Sequence, residues 1–250
     1  MGFPPLPFRG ERPDRRSEVL GQSSRYDPAA WRAAVPDAEE LWPDLLDTLT
    51  TSVRSTKTRP LRLVSRSDVF SLAATASEPW SILSAYLAVA AWGAGMSVRG
   101  RTRSLRSLSA ASADDGLEAA GRKLIEAVEL ARSGSVVAAY AALHGRRPND
   151  GRLRVTHLGP AYGTKLLYFA AYEHREGVLP PLILDSRVAT ALGWLTKDEW
   201  PKDGWTADEY RAYLELAVHW ATLWQVEPDV VERVLFAVGR SEALAVNSLT

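Results

Sequence analysis

Lysine is scarce in this chain: Lys57, Lys123, Lys165, Lys197 and Lys202 are the whole set, and every other basic position is arginine. Lys165 stands where an amine could do chemistry. It follows the turn-forming run Leu158-Gly159-Pro160-Ala161-Tyr162-Gly163-Thr164 and opens the apolar run Leu166-Leu167-Tyr168-Phe169. Glycines followed by a helical apolar run predict a turn leading into a helix, with the lysine at the helix N-terminus. There the positive end of the helix dipole disfavours the ammonium form. A neutral amine is a nucleophile. An arginine would solvate a helix start equally well, so a lysine at this one place invites a chemical explanation.

Asp185 lies twenty residues downstream, after the apolar strip Leu182-Ile183-Leu184. Its side chain is expected to cap a helix running through Ala191 and to stay ionised there. An anionic carboxylate beside an amine makes an acid/base pair. The consecutive backbone amides of the turn and helix start between 157 and 172 form the kind of donor cluster that binds phosphate. Taken singly, Lys165 reads as a solvated helix-start residue and Asp185 as a plain N-cap; their joint order carries the chemical reading.

The elements that must position this pair are read from periodicity and punctuation. Residues 1–26, rich in proline, arginine and serine, read as a mobile or loosely docked arm. From 27 to 250 the chain reads as one helical domain, with a hairpin and catalytic segment at 157–192. Asp27-Pro28 marks a capped helix start, and Pro36 begins a second helix through Leu41, Leu45 and Leu49. A basic, extended piece spans 54–66. Helices are expected at 67–76 and 79–92, the latter ended by Gly93 and Gly95, then at 116–132 and 135–144. Between them, Arg99, Arg101 and Arg103 belong to the densest basic patch, Arg99-Gly100-Arg101-Thr102-Arg103-Ser104-Leu105-Arg106. Its place after a double-glycine break suits a phosphate-contacting loop, and a solvated helix face is the competing reading. The capping box Thr206-Ala207-Asp208-Glu209 opens a helix through Trp224, and Pro228 opens the last, ending near Gly239. With no Asn-Gly hairpins and no internal repeat, the fold class is all-α.

Composition sets the bounds. A chain of 250 residues that is 46% hydrophobic can bury a substantial core. Its 30 basic and 30 acidic residues cancel, so any polyanion site must be local. Without cysteine there is no disulfide, thiolate zinc site or cysteine-held iron–sulfur cluster, which is compatible with a cytoplasmic protein. The start lacks the apolar run of a signal peptide, and the stretch from Ile82 to Ala94 is too short to span a bilayer, so it reads as a buried helix. His144, His157, His174 and His219 lack metal-ligand spacing and read as structural.

The order of Leu158, Gly163, Thr164 and Lys165, then Asp185 with Val188 three positions later, resembles the helix-hairpin-helix superfamily of DNA glycosylases. Within it, the chain is most similar to the lysine-bearing 8-oxoguanine DNA glycosylases, whose core carries Leu-Pro-Gly-x-Gly-Thr-Lys and then Val-Asp-x-x-Val. The likeness covers about forty residues. It implies two helical subdomains flanking a cleft, and a cofactor-free, metal-free monomer acting on double-stranded DNA with a damaged base. By that resemblance Lys165 attacks the sugar C1′ of an extruded nucleotide, forming a Schiff base and permitting strand cleavage by β-elimination. Asp185 handles protons and steadies positive charge on the sugar. Gly159, Ala161, Gly163, Thr164 and Arg187 would contact DNA phosphate. Phe169, with Trp92 and Gly93 as a further wall, would line the base pocket. Two departures stand out: Gly-Pro-Ala-Tyr-Gly replaces the shorter Pro-Gly-x-Gly, and Arg187 stands where many members have histidine or asparagine.

Two other classes compete. A non-catalytic helix-hairpin-helix module would keep the hairpin and need neither Lys165 nor Asp185. A helical scaffold binding protein partners would use the tryptophans at 194, 200, 205, 220 and 224, which otherwise pack the C-terminal helices.

Overall fold

Local capping chemistry sets where the helices begin. The computed structural model describes residues 4–8, 11–35, 38–52, 56, 60–113, 116–145, 147, 150–174 and 179–247. A short π-helix, Arg15–Leu20, leads into strand β1 (Ser23–Tyr26). Asp27 then caps α1 (Pro28–Arg32), its carboxylate accepting from the Ala30 amide. The helix expected from Pro36 is split into α2 (Ala38–Leu41) and α3 (Asp44–Thr48). The break falls at Trp42-Pro43, because proline disfavours helical backbone in the residue before it.

Strand β2 (Arg62–Ser65) pairs antiparallel with β1, Ser23 opposite Ser65 and Tyr26 opposite Arg62. A capping box of Ser65 and Asp68 opens α4 (Arg66–Ala74). The apolar α5 (Pro79–Ala94) is buried along most of its length and ends at Gly95, whose φ of +53° needs a residue without a side chain. The basic patch lies in α6 (Val98–Ala113): Ser104, Leu105, Ser107 and Leu108 face inward while Arg99 and Arg103 are exposed. Of the two readings of this patch, loop and helix face, the structure has the helix face, since the inward residues recur at helical spacing among the arginines.

Next come α7 (Leu117–Arg132) and α8 (Val136–His144). The chain then makes successive turns, Asp150 bonding back to Arg147 and Leu158 to Val155, with His157 in a left-handed conformation at φ +63°. This connection leads into α9 (Pro160–Ala171), followed by a 3-10 turn at Tyr172–His174. After the extended strip 182–184 come α10 (Ser186–Thr196), α11 (Ala207–Trp224) and α12 (Pro228–Asn247). The molecule is mainly helical, as an all-α glycosylase-like fold requires. Among the described residues, no helix is long and apolar enough to cross a membrane.

The described part of residues 1–26 differs from a loosely docked arm. Val19 and Tyr26 are fully buried, Phe8 stacks on Trp224 at 5.0 Å and meets the Trp220 edge at 5.6 Å, and the Trp220 indole donates to the Pro4 carbonyl. Arg15 pairs with Asp229 and Glu173. A few large side chains anchor a segment whose average composition is polar. Trp205, Trp220 and Trp224 pack the C-terminal helices, whereas Trp194 is half exposed.

Candidate active site

Lys165 lies in the second turn of α9, because Pro160 starts the helix earlier than the glycine-threonine-lysine triplet suggests. At that depth the helix-end field has largely decayed. The expectation of an amine freed by the dipole is therefore corrected to an ion pair: Lys165 Nζ lies 3.1 Å from Asp185 Oδ2 and 3.4 Å from the Ala161 carbonyl oxygen. Its side chain is 9% exposed and that of Asp185 15%, so the pair sits at a cleft with little water on it. The ring of Tyr162, 5.6 Å from Nζ, covers another side.

Asp185 is the N-cap of α10, accepting from the Arg187 and Val188 amides at 3.0 and 3.2 Å with Oδ1. Oδ2 is left for the lysine. Burial by itself would push this carboxyl up, but the Lys165 charge and hydrogen bond, with the two amides, hold it below its ordinary value.

What brings these two residues together is the strip between them. Among the described residues, strip 182–184 has no strand partner, so its backbone groups must be satisfied otherwise. The Thr164 hydroxyl, one residue before the lysine, exchanges hydrogen bonds of 3.1 Å with both the amide and the carbonyl of Leu184. Tyr210 Oη donates to the Leu182 carbonyl and Tyr213 Oη to the Ile183 carbonyl, both at 2.9 Å. Thr164 thereby registers Asp185 against Lys165.

The cleft encloses about 260 Å³, and its walls come from distant parts of the chain: Gln22 to Ser24, the end of α5 at Trp92 and Gly93, Lys165, Asp185 to Arg187, and Glu232, Phe236 and Arg240 on α12. A side chain at Gly93 would come within 3.3 Å of the Tyr162 ring and 3.5 Å of Lys165 Cδ, so glycine lets α5 approach the amine. Arg187 lies 4.9 Å above the Phe236 ring, joining the start of α10 to α12.

Of the residues predicted from sequence, Lys165, Asp185, Arg187, Trp92 and Gly93 meet at this cleft. Phe169 does not. It is 1% exposed and packs edge-on against Phe70 and Trp92, in the core behind the lysine. Helical spacing of four sets it on the lysine's side of α9, but the apolar wall of α4 covers it. Gly163 and Thr164 are also corrected as phosphate contacts, because both are buried. The Gly163 amide is spent on the Gly159 carbonyl and the Thr164 hydroxyl on Leu184. Gly159 and Ala161, at the accessible turn, remain available. Burial pushes the Tyr162 hydroxyl above its ordinary value, and Ser104 and the charge of Arg103, both on α6, offset part of that rise at this edge of the cleft.

Sequence reasoning missed the α12 wall and the residues around Gln22. For α12 a signal existed: Glu232, Phe236 and Arg240 recur every four residues, and Glu232 interrupts an apolar helix face. For Gln22 no local signal marks the residue.

Comparison with known families finds that residues 17–236 match the family described as "Putative 8-oxoguanine DNA glycosylase OGG-like protein". No curated protein and no solved structure matches the chain.

Proposed function

The chain belongs to this OGG-like glycosylase family, and from that premise we propose that it is a bifunctional DNA glycosylase and abasic-site lyase that excises an oxidised purine of the 8-oxoguanine kind from double-stranded DNA. The observation that carries the reading is the Lys165–Asp185 pair at 3.1 Å, nearly dry, on the wall of a cleft of base-like size. Family membership supports a glycosylase acting on DNA; the lysine supports the covalent route.

In that route Lys165 Nζ forms a bond to C1′ of an extruded nucleotide as the glycosidic bond breaks. The bonding pair leaves with the base, which takes up the proton that Lys165 gives up, passed on by Asp185. Asp185, again a carboxylate, steadies positive charge on the sugar. Opening of the sugar ring at C1′–O4′ yields the Schiff base, O4′ taking a proton. Loss of a C2′ proton then drives β-elimination, expelling the 3′-phosphate. Gly159, Ala161 and Arg187 serve as phosphate contacts at the rim, and Trp92 and Gly93 as walls for the base.

Borohydride trapping on duplexes carrying 8-oxoguanine or an abasic site tests this. Wild type is expected to form a covalent adduct, and Lys165→Gln to form none. An adduct that survives Lys165→Gln, or none with wild type, would count against the lyase. Should Lys165→Gln and Asp185→Asn keep lesion binding while wild type itself neither excises nor traps, the non-catalytic hairpin module becomes the better reading.

A further inference from the structure

Arg66, fully buried at the start of α4, is outside the Lys165–Asp185 pair yet holds several walls of the cleft. Its Nε donates to Gln22 Oε1 at 2.8 Å, and its Nη1 donates to Glu232 Oε2 at 2.7 Å and to Tyr168 Oη at 3.1 Å. The guanidinium also lies 5.0 Å from the Trp92 ring centre. Gln22, Trp92 and Glu232 all line the same cleft as Lys165.

This arrangement fixes two hydrogen-bonding ends. Glu232 is fully buried and spends one oxygen on Arg66, while Oε1 has no hydrogen-bond partner among the described residues, and neither has Arg66 Nη2. An unpaired acceptor in a dry wall is costly until a donor reaches it. The Gln22 carboxamide turns its oxygen to Arg66, which leaves its NH2 end as the donor on this wall. One arginine therefore orients an acceptor and a donor on neighbouring walls.

Resting on the glycosylase reading above, we infer that Arg66 is a positioning residue that sets Glu232 Oε1 and the Gln22 amide to read one edge of the extruded base, so that the pocket takes a base carrying an N–H donor beside an acceptor. Arg66 itself touches no base. A base whose N–H is methylated leaves Oε1 unpaired and is rejected. An oxidised guanine presents such an edge twice, at N1–H with O6 and at N7–H with O8.

Glu232→Gln is the near-isosteric test. Its carbonyl keeps the Arg66 bond, and its NH2 replaces the free acceptor by a donor. Single-turnover excision of 8-oxoguanine is compared with borohydride trapping on an abasic duplex, which offers no base to read. Excision is expected to fall at least about tenfold more than trapping. Arg66→Lys, whose single nitrogen cannot span Gln22 and Glu232, is expected to skew the ratio the same way. Equal losses in both assays, or no loss in either, would overturn the inference.

Calorimetric titration with 8-oxo-2′-deoxyguanosine and its N1-methyl and N7-methyl derivatives needs no catalysis. Wild type is expected to lose about tenfold in affinity for one of the two derivatives, which identifies the edge, and Glu232→Gln to lose that preference. Equal affinities for all three with wild type would also overturn it. Discrimination that persists in a protein unable to excise or trap would sink the glycosylase reading and leave the edge-reading role standing.

Discussion

Asp185 joins structure and chemistry in one side chain: one oxygen caps α10 and the other holds the amine. Asp185→Asn keeps an oxygen for the cap and removes the charge, so trapping should fall about a hundredfold while the helix persists. Its depressed folded-state pKa gives the pH sign. Stability from the ionised carboxylate is fully present above the unfolded value near 3.8 and is lost as pH falls through the lower folded value. Thermal melts at successive pH values should therefore show wild type losing its advantage over Asp185→Asn only in strong acid. His144 acts in a different window. Burial, aided by the charge of Arg154, pushes its imidazole from 6.5 down to about 3, so the folded state keeps it neutral while the unfolded state takes up a proton. Stability should decline as pH drops from about 6.5 toward 3, and His144→Leu should flatten that part of the curve. An unchanged slope would show that the ring is solvated in the folded state.

At the level of elements, the crossing of α8 over α9 depends on Gly163, whose absent side chain leaves room for the His144 ring. Gly163→Ala should destabilise the fold by about 1–3 kcal/mol through overpacking, read as a lower midpoint in urea. Pairing it with a smaller residue at 144 should restore much of the loss. The same logic applies to the strip 182–184. Thr164→Val keeps the shape of the side chain but strips the Leu184 amide and carbonyl of their buried partner, costing roughly 1–3 kcal/mol. Since Asp185 follows that strip directly, trapping should weaken along with stability. A variant that loses stability but traps at the wild-type rate would show that Asp185 is held by its α10 cap alone.

For the whole molecule, the balance of 30 basic and 30 acidic residues means that DNA affinity must come from local charge. Arg99 and Arg103 present that charge on the exposed face of α6, and Arg103 is close enough for its charge to act on Tyr162. Changing both to glutamate should weaken binding across DNA sequences and lower the slope of log affinity against log salt by about one for each phosphate that is no longer neutralised. A salt slope unchanged from wild type would assign the backbone contacts elsewhere. The N-terminal segment belongs to this scale too. It supplies Gln22 to the cleft and buries Val19, worth roughly 2 kcal/mol by itself. Deleting residues 1–26 should lower the melting temperature and abolish excision together.

From sequence alone, helix starts were readable wherever proline, aspartate or a capping box stood at a boundary, as at Asp27, Thr206 and Pro228, because capping is a matter of neighbouring residues. The order glycine-threonine-lysine and a later aspartate likewise marked Lys165 and Asp185, since residue type and chain order survive without coordinates. Tertiary structure alone decided which sides of the helices face the cleft. Phe169 went into the core because α4 covers it, and Gln22, which no local signal marks, joined the cleft wall where Arg66 reaches it from a third segment. Burial and long-range pairing arise from how helices pack across hundreds of residues, and no local spacing encodes the partner on the other side.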